Sequence, residues 1–316
     1  MSEVFFKELG LDTPKYNLGI HSQSHGQMTG MMLISLEPVM VTEKPDVVLV
    51  YGDTNSTLVG ALSAVKLGIP VAHVEAGLRS GNNQMPEEIN RVLTDSISSL
   101  LFCPNYESAQ NIIPQQQSGV HVVGDVMCDA LRKAEKQSGI KTDLATLKEY
   151  AVLTLHRPVN VDSKETLTAI INQVGALDIP IVFPVHPRTL AKLNEFNIEI
   201  PNGVYTIEPL SYANIIHTIK KSCGLITDSG GLQKESYMLG VPCLTLRKET
   251  EWEETLTDSW NILVADISML KKLWSYQRAP QITKEREARH DYNLYGDGKA
   301  SKRIVQIIKD VYEKGI

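Results

Sequence analysis

Ten short apolar runs, each closed by a turn signal and most followed by a helical pattern, constrain the fold of this chain more than any other feature. They read DVVLVYG, PVAHVEAG, LLFCPN and HVVGD in the first half, then YAVLTLH, IPIVFPVH, VYTIEP, CGLITDS, PCLTLR and NILVAD. Strands that are apolar on both faces and alternate with helices build parallel sheets covered on each side. The expected fold class is α/β, in two domains. The first spans residues 1–145 and the second 146–297, with the junction in the polar, Gly-containing stretch near residues 138 to 149. A closing segment, residues 298–316, carries Ile304, Val305, Ile307, Ile308 and Val311 on one helical face and is expected to pack back on the first domain.

Composition narrows the function classes. With 42% hydrophobic residues and 22% charged, a chain of 316 residues can bury a sizeable core. Its formal charge of −6 supplies no basic field for nucleic acid, so an anionic ligand needs a local cluster of donors. The four cysteines, Cys103, Cys128, Cys223 and Cys243, are far apart in sequence and read as buried free thiols. No apolar run approaches the roughly 20 residues that cross a bilayer, and the N-terminus has no signal-peptide pattern. A cytoplasmic protein without a membrane partner is expected.

In open parallel sheets, ligands collect at the carboxyl ends of strands, where loops and helix N-termini converge. Asp53, Glu75, His156, His186, Ser229 and Arg247 all follow directly on apolar runs. In LITDSGGLQKE, residues 225–235, Gly230 and Gly231 let backbone N–H groups approach a ligand at a helix N-terminus, which suits a diphosphate. Ser229 adds a hydroxyl, and Glu235 can accept from ribose hydroxyls. The competing reading is a tight turn with an N-cap serine. Asp53, in YGDTNSTLVGA, is either a catalytic carboxylate or part of a helix cap. Glu75 follows an apolar strand, where partial desolvation raises a carboxyl pKa toward neutrality. Glu87 and Glu88, behind Pro86, either serve chemistry or offset the positive helix end. The pairs His156–Arg157 and His186–Arg188 are phosphate or sugar contacts, or else surface and capping residues. Carboxylates and histidines gathered at strand ends fit proton transfer, and no metal is expected.

Eight segments occur in order: VYGDTNST, HVEAGLRS, MPEEINR, LHRPVN, PVHPRT, TDSGGLQKE, LRKETEWEE and NLYGDGKAS. Together they resemble the non-hydrolysing UDP-N-acetylglucosamine 2-epimerases and the relatives that epimerise UDP-linked acetamido uronates. The resemblance covers nearly the whole chain. It implies two Rossmann-like domains in the GT-B arrangement with the substrate in the cleft, a homodimer joined through helices of the first domain, and a role in envelope polysaccharide precursor synthesis. It also implies inversion at C2 of the sugar by elimination of UDP and its re-addition, through a 2-acetamidoglucal. That route passes through an alkene rather than a ketone, so no cofactor is required. The matching positions imply acid/base roles for Asp53, Glu75 and Glu87, and place His156 near the diphosphate. Ser229, Gly230, Gly231 and Glu235 match the UDP site, with Arg79, Arg157, His186, Arg188 and Arg247 as further substrate contacts. Some bacterial members are activated by a second UDP-N-acetylglucosamine, and Gln27, Arg157 and His186 fall in segments similar to that region.

The chain departs from the family pattern at its start. Family chains open with an apolar strand and a Gly-Thr-Arg-Pro loop, and this sequence resembles them only from after their second strand. The N-terminal domain is therefore expected to lack its first βαβ elements, leaving an open apolar edge at residues 46 to 50. Val159 also stands where relatives often carry an acid. TEWEE and the short Arg79–Pro86 loop lean toward uronate substrates. A glycosyltransferase of the same architecture and a non-catalytic UDP-sugar-binding protein are the alternative readings.

Overall fold

Each of the ten apolar runs forms a strand, and all of their pairings are parallel. A computed structural model describes residues 12–112, 118–137 and 147–314. The strands are β1 (Val48–Tyr51), β2 (Val71–Val74), β3 (Leu100–Cys103), β4 (Val120–Val122), β5 (Ala151–Thr154), β6 (Ile181–Pro184), β7 (Val204–Ile207), β8 (Leu225–Thr227), β9 (Cys243–Thr245) and β10 (Asn261–Leu263). They form a four-stranded sheet in the order β1-β2-β3-β4 and a six-stranded sheet in the order β10-β9-β8-β5-β6-β7. The chain divides into two compact units. One takes the chain up to Asp129 together with Leu294 onward, and the other takes Ala130–Asn293. The junction expected at 145/146 lies outside the described residues.

In the first unit the period-two alternation of each strand sorts side chains onto two covered faces. Val48, Val50 and Val71 pack with Met40, Ala61 and Ala64 from the helices His25–Glu43 and Asn55–Lys66. Leu49, Ala72, Val74 and Phe102 pack on the other face with Ile304, Ile307 and Ile308 of the helix Ala300–Lys314. This helix is tied down at its start, where the Asp129 carboxylate accepts from the backbone N–H groups of Ala300 and Ser301 at 2.9 and 2.8 Å. β1 is an edge strand among the described strands. Of the segment expected to be an open edge, Val50 is buried, Val47, Val48 and Leu49 are partly buried, and Tyr51 just beyond it is exposed.

In the second unit β5, β8 and β9 are central, with Leu153, Ile226 and Leu244 fully buried among Leu167, Ile171 and Phe183. On the opposite face Val152, Leu225 and Cys243 meet Tyr150 and Ile219. Gly224 stands where an added Cβ would lie 2.7 Å from the Trp274 ring, so helix Leu270–Gln277 seats directly on the backbone entering β8. The strand ends of both sheets are fixed on cores that leave few alternative registers.

Ile304 is 3% exposed, but Val305, expected on the same apolar face, is 51% exposed, because it lies one residue, about 100° around the helix, from Ile304. Ile304→Ala is expected to destabilise the first unit by about 2–5 kcal/mol, while Val305→Ala stays within about 0.5 kcal/mol. Urea unfolding followed by circular dichroism distinguishes these outcomes.

Candidate functional site

Two groups of functional side chains stand at strand ends, one in each unit. In the first unit β1 and β2 end side by side, with Tyr51 in register with Val74. Gly52, with φ of 65°, turns the chain out of β1, and Glu75 adopts φ of 69° at the end of β2. A left-handed backbone at a non-glycine residue costs on the order of 1–3 kcal/mol and marks a residue held by its surroundings. A Cβ placed on Gly52 would lie 3.3 Å from Glu75 Oε2, so the Glu75 carboxylate rests against the peptide that leads into Asp53.

Asp53 is half-buried and held from several sides. Its carboxylate pairs with Arg91 Nη2, and its carbonyl accepts from Asn90 Nδ2 at 3.0 Å. The same Asn90 amide donates to Asn55 Oδ1 at 3.0 Å. Thr54, not Asp53, caps the following helix, its side chain accepting from Thr57 N. The cap and the carboxylate are thus adjacent residues with separate tasks. Glu87 is half-buried in the first turn of helix Pro86–Ile97, the helix that supplies Asn90 and Arg91.

Glu88 has a different role. It is buried, accepts from Ser80 N at 2.8 Å and Ser80 Oγ at 3.0 Å, and pairs with Arg91 Nη1 at 2.7 Å. Burial alone would lift its carboxyl, but the Ser80 and Arg91 donors hold it below the usual carboxylate range. Glu88 therefore clamps the 80–81 loop onto the helix. Arg79 is likewise engaged within the protein, donating to Asp95 Oδ2 at 2.6 Å and to Leu78 O at 2.7 Å.

In the second unit the centre is Asp228, which precedes the Ser-Gly-Gly turn and is fully buried. Its carboxylate accepts from the backbone N–H groups of His156 at 3.1 Å and Arg157 at 2.9 Å, from Asn160 Nδ2 at 3.1 Å, and lies 2.9 Å from His156 Nδ1. Burial acts to raise its pKa, but the His156 ring, the Arg157 N–H and the Asn160 amide outweigh it and keep the group below the usual range. With Nδ1 directed to Asp228, the partly exposed His156 ring leaves Nε2 for a ligand. The His186 ring lies 5.9 Å away, its pKa lowered by burial and by the neighbouring His156.

Helix Gly230–Met238 begins beside this pair. Ser229 caps it, the hydroxyl accepting from Leu232 N at 3.3 Å, so the N-cap alternative describes a real contact. The turn also gathers cations. A Cβ on Gly230 would lie 2.7 Å from Glu251 Oε1, 3.5 Å from Arg247 Nη1 and 3.8 Å from Arg157 Nη2. Arg247 Nη1 lies 2.9 Å from Glu251 Oε2 without hydrogen-bond alignment, which leaves its N–H directions unsatisfied. Two guanidinium groups and the Glu251 carboxylate thus meet at this helix N-terminus, where backbone N–H groups and cations favour an anionic ligand. Glu235 is buried and accepts from Tyr212 Oη at 2.7 Å. Arg188 is exposed and pairs with Asp162 at 2.5 Å.

Sequence reasoning missed Arg91, Asp95 and Asp228, each of which organises a predicted residue. Asp228 lay inside the Asp-Ser-Gly-Gly stretch, and a buried acid before a phosphate-type turn was the available signal. Two ligand-like spacings were also passed over: His21 with His25, and His73 with Glu75. Among the described residues no three His, Cys, Asp or Glu side chains gather as a metal site, and both His73 nitrogens are taken up by other partners.

Comparison with known proteins shows the family and the fold. Residues 1–309 match the family model described as UDP-N-acetylglucosamine 2-epimerase. A UDP-N-acetylglucosamine 2-epimerase homolog of Methanococcus maripaludis is 45% identical, the match covering 98% of this chain and 88% of the relative. The UDP-2,3-diacetamido-2,3-dideoxy-D-glucuronate 2-epimerase of Pseudomonas aeruginosa is 42% identical over 98% of this chain and 87% of its own. The crystal structure of the Methanocaldococcus jannaschii UDP-GlcNAc 2-epimerase in complex with UDP-GlcNAc and UDP is similar with a TM-score of 0.81 and 42% identity, covering 98% of this chain and 88% of that one. The family model and these relatives match along nearly the full sequence, and the chain belongs to the UDP-N-acetylglucosamine 2-epimerase family.

Proposed function

We propose that this chain inverts C2 of a UDP-linked N-acetylhexosamine, either UDP-N-acetylglucosamine or a UDP-acetamido-uronate. In this reading a carboxylate takes the C2 proton while the C1–O bond to the diphosphate breaks, giving a 2-acetamidoglucal and UDP. The diphosphate oxygen then re-forms the bond to C1, and a proton is delivered to C2 from the opposite face. The observation that carries the reading is the Glu75 carboxylate lying against the peptide that leads into Asp53. Proton transfer on two faces of one carbon needs more than one acid/base group in a small volume. Asp53, Glu75 and Glu87 supply these groups, with Arg91 orienting Asp53.

The second unit supplies the nucleotide grip. Ser229, Gly230 and Gly231 present the helix N-terminus, and Arg157 and Arg247 neutralise the diphosphate. His156, oriented by Asp228, donates to the departing diphosphate oxygen and lowers the barrier to C1–O cleavage. His186 and Glu235 complete the assigned substrate contacts; Arg79 and Arg188, expected as further contacts, are engaged by Asp95 and Asp162, and Gln27, Arg157 and His186 are the candidate region for an activating second UDP-N-acetylglucosamine. A homodimer belongs to the same reading: Ile89, Val92 and Leu93 stand 48%, 40% and 45% exposed on helix Pro86–Ile97. The free cysteines accord with a cytoplasmic enzyme, and among the described residues no helix is long and apolar enough to cross a membrane.

Incubation in D₂O with either UDP-sugar, followed by proton NMR, is expected to show deuterium at C2 and the C2 epimer. Absence of both products with both sugars would overturn the reading. Acceptor-dependent UDP release, the mark of a glycosyltransferase, is not expected. Glu75→Gln should slow C2 exchange by about 10²–10⁴-fold while UDP affinity by calorimetry stays within a few-fold. Arg247→Ala should instead weaken UDP binding by about tenfold or more, the loss of a charge-assisted contact. Light scattering of the wild-type chain should give the dimer mass, and Ile89→Glu should shift it toward the monomer.

A further inference from the structure

His73 and Asp95 lie beneath the carboxylate-bearing turns of the first unit, and neither has a part in the reaction as described above. His73 occupies the third position of β2, among Val71, Ala72 and Val74. Its ring is fully buried, and Asp95 is 2% exposed. A buried polar pair survives only when each group is fully hydrogen-bonded. Here the partners reach further than that requirement. His73 Nδ1 lies 2.7 Å from Asp95 Oδ1, and Nε2 lies 2.8 Å from the carbonyl oxygen of Gly52. Asp95 Oδ2 accepts from Gly77 N at 3.1 Å and from Arg79 Nη1 at 2.6 Å.

The chain positions of these partners give the arrangement its meaning. The Gly52 carbonyl belongs to the peptide shared with Asp53. The Gly77 N–H belongs to the Ala76–Gly77 peptide, two residues beyond Glu75, which directly follows β2. One buried pair therefore holds the backbone on the Asp53 side and on the Glu75 side at once. Gly77 has little room to move, because an added Cβ there would lie 2.1 Å from Ser108 O.

We infer that His73 and Asp95 are positioning residues that set the separation of the Asp53 and Glu75 carboxylates. The inference rests on the proposed function, in which those carboxylates work on one carbon. Displacing a reacting group by about 1 Å costs on the order of 10²-fold in rate, so loss of the Gly52 contact should appear in kcat rather than in nucleotide binding.

Three substitutions separate the contacts. His73→Gln retains a donor at the place of Nε2, facing Gly52, and gives up the link to Asp95. His73→Asn retains a donor at the place of Nδ1, facing Asp95, and gives up Gly52. Asp95→Asn keeps the contacts named above, because the introduced amide donates to Nδ1, a neutral ring donates to Gly52, and the amide oxygen accepts from Gly77 and Arg79. The expected result for C2 deuterium exchange is that His73→Asn lowers kcat by about 10²-fold. Asp95→Asn and His73→Gln should remain within about tenfold of wild type, with KM and UDP affinity within threefold in all. Equal turnover in every variant, or equal losses in His73→Asn and His73→Gln, would overturn the inference. Amide hydrogen exchange of peptides spanning 52–56 and 75–79 gives a readout that needs no turnover: faster exchange in His73→Asn than in Asp95→Asn supports the inference, and identical protection rejects it. If the wild-type chain exchanges neither sugar, the functional reading falls, while the amide comparison still decides the positioning role.

Discussion

A carboxylate removed from water must find donors within the protein, and in each unit one such group organises the strand ends. Asp95 gathers the His73 ring, the Gly77 N–H and the Arg79 guanidinium. Asp228 gathers the His156 and Arg157 N–H groups, the His156 ring and the Asn160 amide. Both acids lie outside the strands and bind the loops that follow them. Two parallel sheets supply rigid strand ends, but the buried acids decide where the emerging loops go.

This division leaves the proposed acid/base groups accessible. Asp53, Glu75 and His156 are only half-buried, while the residues that orient them are almost fully enclosed. Glu75 is held in a left-handed conformation that is costly for a non-glycine residue, whereas Gly52 adopts its turn without strain and is tied to β2 through the His73 ring. Preorganisation of this kind lowers the reorganisation needed as charge develops on a substrate. The thiols play no comparable role: burial pushes Cys103 and Cys243 up to about 12, so neither is a nucleophile at neutral pH.

Much of the fold was legible because apolar β-branched runs closed by Gly, Pro or Asp report strands through their own chemistry. Each of the ten runs is a strand, and the final amphipathic helix buries the face marked by Ile304, Ile307 and Ile308. The candidate site was legible at its turns for a similar reason, since glycines and strand-end carboxylates carry their meaning locally. The supporting residues were less visible. Arg91 reads as an ordinary polar helix residue until Asp53, 38 positions earlier, is brought against it. Glu88 looked like a companion of Glu87, yet the helix points it into the Ser80 loop. Arg79 and Arg188, read as ligand contacts, are paired with Asp95 and Asp162, partners that sequence spacing did not associate with them.

The sequence by itself determined the α/β class, the ten strands, the Ser-Gly-Gly turn before a helix and the carboxylates placed at strand ends, because each follows from the chemistry of a few consecutive residues. Only the tertiary structure decided which acids face the site and which are consumed in holding it. That choice depends on long-range pairs such as His73 with Gly52 and Asp228 with His156, and a linear pattern carries no distance between residues so far apart in the chain.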